Sequence, residues 1–101
     1  MGLPAQKTSY PYIISDPGIA DGSPIIQGTR TTVRSIAGYY QMGLTVDEIL
    51  NNLSHLTISQ VHSALAYYFD HQEEIDKDIQ TSSDIEFWKN KVLTHPKAKD
   101  S

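Results

Sequence analysis

From Val33 onward the apolar positions of the chain recur at the three- and four-residue intervals of a helix. A first helix is therefore predicted from about Val33 to Met42. Its inward face comprises Val33, Ile36, Ala37 and Tyr40. Gly43 follows at the position where helices commonly end in a left-handed residue, and Leu44 can supply the accompanying apolar contact.

Two capping boxes predict where the next helices begin. Thr45 is followed three residues later by Glu48, and Thr57 is followed in the same way by Gln60. In such a box the hydroxyl and the longer side chain satisfy each other's unpaired backbone donors. A second and a third helix are thus predicted, joined by a short link over 54–56. The inward face of the second helix comprises Val46, Ile49, Leu50 and Leu53.

After Thr57 the apolar positions follow a heptad-like series with one polar interruption at Gln72. The series comprises Ile58, Val61, Leu65, Tyr68, Ile75 and Ile79. Two interpretations stay open: core packing of one long or two broken helices, or pairing of the distal half with another chain. A third capping box, at Ser83 and Glu86, predicts a last helix with Trp88 facing inward.

Short β-strands are predicted before the helices. The segment Tyr10–Ser15 is rich in aromatic and β-branched residues, and Ile25–Ile26 is a second short run between turn signals. Pieces of this length need to lie on the helices or to pair with another copy of the chain. Residues 1–9 are expected to form a flexible tail.

The chain of 101 residues is long enough for one domain. The predicted division is a main domain over 10–80 and a carboxyl-terminal helix and tail over 81–101. The absence of cysteine excludes disulfides and thiolate metal sites, and fits a reducing cytoplasm. No apolar run approaches the length of a membrane span.

Charge is unevenly distributed along the chain. Seven carboxylates against Lys77 give residues 70–86 a net charge of −6, whereas four lysines against Asp100 give residues 87–101 a net charge of +3. Clusters of carboxylates usually form a solvated face, and here they could also meet a basic partner. The strongly basic face that is typical of nucleic-acid binders is missing.

The second and third predicted helices resemble a helix-turn-helix, braced by the first. In that arrangement the start of the third helix enters the major groove. The candidate base-contacting residues are Thr57, Ser59, Gln60, His62 and Ser63, and the candidate phosphate contacts are Arg30 and Arg34. The alternative is that these are ordinary solvated residues near the start of a helix.

Other chemistry has little support in the sequence. The four histidines form no i, i+4 pair, the carboxylate clusters have no catalytic partner, and no nucleophile motif is present. We therefore expect no metal, no cofactor and no enzymatic activity. For contact with a protein partner, the candidates are Tyr68, Ile75, Ile79 and Trp88.

These motifs together resemble a small prokaryotic family known as domain of unknown function number 433. The first block of the resemblance is Gly22, Pro24, Gly28, Thr29, Arg30 and Val33. Further matches are Gly43, Leu44, Glu48, Ile49, Leu50, Leu56, Thr57, Val61, Ala64 and Leu65, within a span of about Ile13 to Ile79. The chain departs from the family at Thr32 and Ser54, where proline is common.

The resemblance implies a mainly α fold: a homeodomain-like three-helix core with short amino-terminal strands and an extra carboxyl-terminal helix. For some members it also implies an antitoxin that binds its operator and neutralises a PIN-like ribonuclease toxin. We therefore expect a DNA-binding regulator of antitoxin type that acts as a homodimer. The alternative is a protein-interaction module with the same fold that does not bind DNA.

Overall fold

A short antiparallel sheet precedes four α-helices in the structure, a computed structural model that describes residues 5–81. The strands are β1 (Gln6–Lys7), β2 (Ile13–Ser15) and β3 (Pro24–Ile26), in the spatial order β1-β2-β3. The helices are α1 (Val33–Gln41), α2 (Val46–Asn52), α3 (Ile58–Asp70) and α4 (Gln72–Thr81). Mainly helical architecture with short amino-terminal strands is thereby confirmed.

The strands pair with one another within the chain. Ile13 lies opposite Ile26 in the β2–β3 ladder, and both side chains are buried against the helices. The predicted strand over 10–15 is shorter than expected because Tyr12 adopts a left-handed backbone (φ 69°) and begins it with a turn. β1 lies inside the predicted tail 1–9, where it pairs with β2 and forms one edge of the sheet.

A hydrogen-bonded turn joins β3 to α1. Gly28 has the left-handed backbone that the turn needs (φ 84°). The Thr29 hydroxyl donates to the Ile26 carbonyl at 2.9 Å and accepts from the Thr31 amide at 3.0 Å. Thr32 then caps α1, because its hydroxyl accepts from the Ser35 amide at 3.1 Å. Most of the Gly-Thr-Arg motif is thus explained by local folding.

The predicted helix boundaries are confirmed at α2 and α3. Both capping boxes are complete, with each hydroxyl accepting from the third helical amide and each Glu48 or Gln60 side chain accepting from the cap amide. Gly43 (φ 95°) ends α1, and the Leu44 amide donates to the Tyr39 carbonyl at 3.1 Å. This is the bond expected where a left-handed glycine closes a helix.

The heptad-like series is divided between two helices, because the backbone leaves helical geometry at His71. The core comprises Ile13, Ile26, Val33, Ile36, Ala37, Tyr39, Ile49, Leu56, Val61, Ala64, Leu65, Tyr67, Tyr68, Ile75 and Ile79. Two members of the expected inward faces are exposed instead. Tyr40 is 43% exposed while Tyr39 is buried in its place, and Ile58 at the start of α3 is 51% exposed.

Three of the residues predicted to contact a protein partner are therefore in the chain's own core. Tyr68, Ile75 and Ile79 are each no more than 6% exposed, because α4 packs back onto α1 and α3. They offer little surface to another chain in this fold. Trp88 and the predicted last helix lie outside the described residues. Among the helices of residues 5–81, none has the length and apolar character to cross a membrane.

Candidate functional site

The amino-terminal turn of α3 is open to solvent. Thr57, Ser59 and His62 are exposed there, while the opposite side of the turn is anchored by Leu56 and Val61 in the core. α1 contacts both α2 and α3, so the turn is held by a braced pair of helices. The hydroxyls and the imidazole can donate or accept hydrogen bonds to an external ligand.

Gln60 has a second role that limits its availability. Its Oε1 accepts from the Thr57 amide at 2.8 Å and completes the capping box. A bidentate contact with adenine needs both Oε1 and the amide nitrogen. The side chain can therefore offer its amide donor outward without loss of the cap, but cannot offer the whole amide edge.

Ser63 is not on the exposed face. It is 9% exposed, and its hydroxyl donates to the Pro11 carbonyl in the turn before β2. Ser63 is one turn beyond Ser59 on α3, but it points toward the amino-terminal segment instead of solvent. In this fold the Ser63 hydroxyl is engaged inside the chain and fastens the turn before β2 to α3, so the base contact predicted for Ser63 would require this bond to break.

The two arginines predicted to contact phosphates differ in their surroundings. Arg34 donates to the Ser23 hydroxyl at 3.1 Å and forms an ion pair with Asp78 at 3.3 Å, and its side chain is 13% exposed. A phosphate would have to displace a carboxylate to reach it. Arg30 is exposed on the turn that precedes α1. It is the arginine that can reach an anion without breaking an internal bond.

A hydrogen bond joins the turn that contains Arg30 to the link between α2 and α3. The Thr31 hydroxyl lies 2.9 Å from His55 Nε2, in the link between α2 and α3. This contact joins the residue after Arg30 to the link residue two positions before Thr57. His55 was visible in the sequence as a polar link residue, but nothing in the local pattern indicated its contact with a turn 24 positions earlier.

This surface carries little positive charge for a site that would bind an anion. α3 contains neither lysine nor arginine, and residues 5–81 carry Lys7, Arg30, Arg34 and Lys77 against nine carboxylates. The positive charge near the start of α3 is limited to Arg30, on the turn that contacts the α2–α3 link, and to the amino-terminal end of the α3 dipole. Contacts here would depend on hydrogen bonding and shape more than on net charge.

A second cluster of polar and aromatic side chains lies at the other end of α3. The Tyr67 and His71 rings stack at 4.2 Å, and Tyr10 packs edge-on to Tyr67 at 5.2 Å. Burial, with Glu74 nearby, raises the pKa of Tyr67 to about 12, and a hydrogen bond to Asp70 raises the pKa of Tyr10. Phenols with raised pKa values stay neutral and act as donors, so this cluster serves to fix the amino-terminal segment.

Metal-binding chemistry finds no support in the part of the chain that the structure covers. Within residues 5–81 no three side chains of the histidine, aspartate or glutamate type are grouped closely enough to hold an ion.

The fold and this surface define a small, mainly helical domain with a short sheet and a braced pair of capped helices. Residues 13–68 match the family described as "Protein of unknown function (DUF433)". The chain belongs to this DUF433 family. The crystal structure of a DUF433 member protein from Anabaena variabilis ATCC 29413 is similar to it, with a TM-score of 0.64 and 33% sequence identity over 68% of each chain. No curated protein matches the chain.

Proposed function

We propose that this DUF433 protein is a non-enzymatic, DNA-binding regulator of antitoxin type, with a PIN-like ribonuclease as its toxin partner. The observation that carries the proposal is the exposed amino-terminal turn of α3, presented by a capped α2–α3 pair and braced by α1. We interpret these three helices as a homeodomain-like helix-turn-helix, with α3 as the helix that enters the major groove.

The proposal uses fewer DNA-contacting residues than the sequence predicted. Thr57, Ser59 and His62 would meet base edges or phosphates, and Gln60 would contribute its amide donor. Arg30 would meet a phosphate beside the groove. We place the protein in the cytoplasm, with the operator DNA that it would contact.

A homodimer would present two α3 turns to two half-sites, which compensates for the small number of cations in one copy. The strands pair with one another within the chain, and Ile75 and Ile79 are buried in its core. Contact between copies would therefore have to use surface that remains exposed.

Binding to the DNA upstream of the gene, measured by fluorescence anisotropy over a range of salt concentrations, tests the proposal. We expect Arg30→Ala to weaken binding and to reduce the salt slope by about 1, the share of one phosphate contact. Lys77→Ala removes the same charge from the exposed face of α4 and is the matched control. His62→Glu, at an exposed position, should abolish binding through repulsion of the phosphates.

A protein-interaction module without DNA binding is the second candidate. It is favoured by the absence of lysine and arginine from α3 and by the ion pair that engages Arg34. If the upstream DNA does not bind at low salt, or if Arg30→Ala and Lys77→Ala weaken binding equally, the interaction module replaces the DNA-binding proposal.

A further inference from the structure

An exposed aromatic pair lies where α1 and α3 end. Tyr40 is 43% exposed and Phe69 is 46% exposed, and their rings meet edge to face at 5.2 Å. The Tyr68 ring lies behind them, and its centroid is 6.4 Å from that of Tyr40 and 5.5 Å from that of Phe69. Tyr40 and Phe69 therefore form an exposed aromatic patch, and the buried Tyr68 ring holds the two exposed rings in place.

A carboxylate is fixed beside this pair. Asp76 on α4 accepts from Gln41 Nε2 at 2.7 Å and from the Tyr68 hydroxyl at 3.2 Å. Both bonds end on Oδ1, so Oδ2 remains an acceptor within the described residues. Glu73 is exposed one turn earlier on α4, and residues three apart share a helix face. We refer to Tyr40, Phe69, Glu73 and Asp76 as the aromatic–acidic surface.

The charge of this region is only partly compensated. Asp70 is held by Tyr10, Glu74 by Tyr67, and Asp76 by Gln41 and Tyr68. These donors are neutral and bring no positive charge to the carboxylates. Asp78 pairs with Arg34 on the side of α4 that faces Ser23. Asp76, which bonds to Tyr68 behind the exposed rings, and its helix neighbour Glu73 place negative charge at this surface, and a cation is the complementary ligand.

We propose that the aromatic–acidic surface binds an arginine-bearing segment of a protein partner. A guanidinium can stack on an aromatic face and at the same time donate to a carboxylate through its planar fork, whereas an ammonium is a strongly hydrated point charge. Ring and carboxylate are adjacent here, which favours arginine over lysine. The existence of a protein partner rests on the proposed function, but the contact itself is independent of DNA binding.

Hexa-arginine peptide is the probe for this inference. Titrated into the full-length protein at low salt and followed by heteronuclear NMR, it should shift the amide signals of Tyr40, Phe69 and Glu73. Combining Tyr40→Ala with Phe69→Ala should weaken binding about tenfold, from the loss of two exposed cation–π contacts. Tyr12→Ala removes an equally exposed ring at the amino-terminal turn and should leave the affinity unchanged. Hexa-lysine should bind more weakly than hexa-arginine.

Charge variants give an independent measurement. Glu73→Gln should weaken peptide binding, while Asp47→Asn, which removes an exposed charge on α2, should not. Equal weakening by the two variants, or by the Tyr12 control and the ring variant, would indicate general attraction to an acidic protein and overturn the proposal. Urea denaturation of each variant shows whether the fold is kept.

Two other occupants of the surface would also overturn it. One variant of the full chain combines Lys89→Gln, Lys91→Gln, Lys97→Gln and Lys99→Gln. If the peptide binds this variant and not the natural chain, the chain's own lysines occupy the surface. If Phe69→Ala converts a dimer to a monomer by light scattering, a second copy occupies it. Anisotropy with the upstream DNA should be unchanged in the Tyr40 and Phe69 variants, which separates failure here from failure of the DNA-binding proposal.

Discussion

The carboxylate of Asp78 lies 3.3 Å from the guanidinium of Arg34, so the first turn of α1 is tied to the second half of α4. Ser23 joins the pair, since its hydroxyl accepts from Arg34 at 3.1 Å and donates to Asp78 at 3.2 Å. The network connects the loop before β3 with both helices. The Arg34 and Asp78 side chains are mostly shielded from solvent, so their ion pair should contribute more to the stability of the fold than an exposed pair would.

Loss of this ion pair should destabilise the domain. We expect Asp78→Asn to lower the free energy of unfolding by about 1–2 kcal/mol, because the partly buried Arg34 guanidinium would lose its charge pairing with Asp78. Urea denaturation measures the change. In a double-mutant cycle with Arg34→Ala and Asp78→Ala, the coupling energy should be about 1 kcal/mol. A coupling near zero would mean that the two side chains act independently.

The capping box of α3 offers a second test. Thr57→Ala should lower the free energy of unfolding by about 1 kcal/mol, because the Gln60 amide loses its acceptor. Thr57→Ser keeps a hydroxyl and should retain most of the stability, so the pair separates the hydrogen bond from the side-chain volume. If both variants unfold at the same urea concentration, the hydroxyl does not stabilise the helix.

A comparison of two isoleucines tests where α4 packs. Ile75 is fully buried and Ile58 is half exposed, although both belong to the same apolar series in the sequence. Ile75→Ala should cost about 2–4 kcal/mol of unfolding free energy through the cavity it leaves, and Ile58→Ala less than about 1 kcal/mol. Equal losses in thermal or urea unfolding would contradict the packing of α4 against α1 and α3.

The helix starts could be predicted because they are encoded locally. A threonine with Glu48 or Gln60 three positions later satisfies backbone donors within its own turn, so the signal is complete in four residues. The end of α1 at Gly43 is encoded in the same way, by a residue that tolerates a positive φ.

The tertiary contacts could not be predicted from these patterns. Helical spacing placed Tyr40 inside, but the contacts of α1 with α2, α3 and α4 bury Tyr39 and leave Tyr40 at the edge of the core. Ser63 looked like a surface residue because its acceptor, the Pro11 carbonyl, is 52 positions away in the sequence. Arg34 looked available for the same reason, since Asp78 is 44 positions away.

Tyr67 should give the domain a dependence on alkaline pH. Its pKa is raised to about 12, so the folded state favours the neutral phenol. The corresponding stability is complete below pH 10, the ordinary value, and is lost as the pH rises toward about 12. Tyr67→Phe should therefore lose less stability than the natural chain over this interval. Urea denaturation at several pH values measures the difference, and parallel pH profiles would contradict it.

The backbone leaves helical geometry at His71 and thereby ends α3. The length of α3 sets the spacing between the two proposed binding surfaces. α3 has thirteen residues, which correspond to about 20 Å from its first turn to its last. Thr57, Ser59 and His62 occupy one end of this rod, and Phe69 occupies the other. No side chain is shared, so occupation of one end leaves the residues of the other uncovered. The geometry thus allows a ternary assembly, with DNA at the first turn of α3 and a second protein at the surface around its last turn.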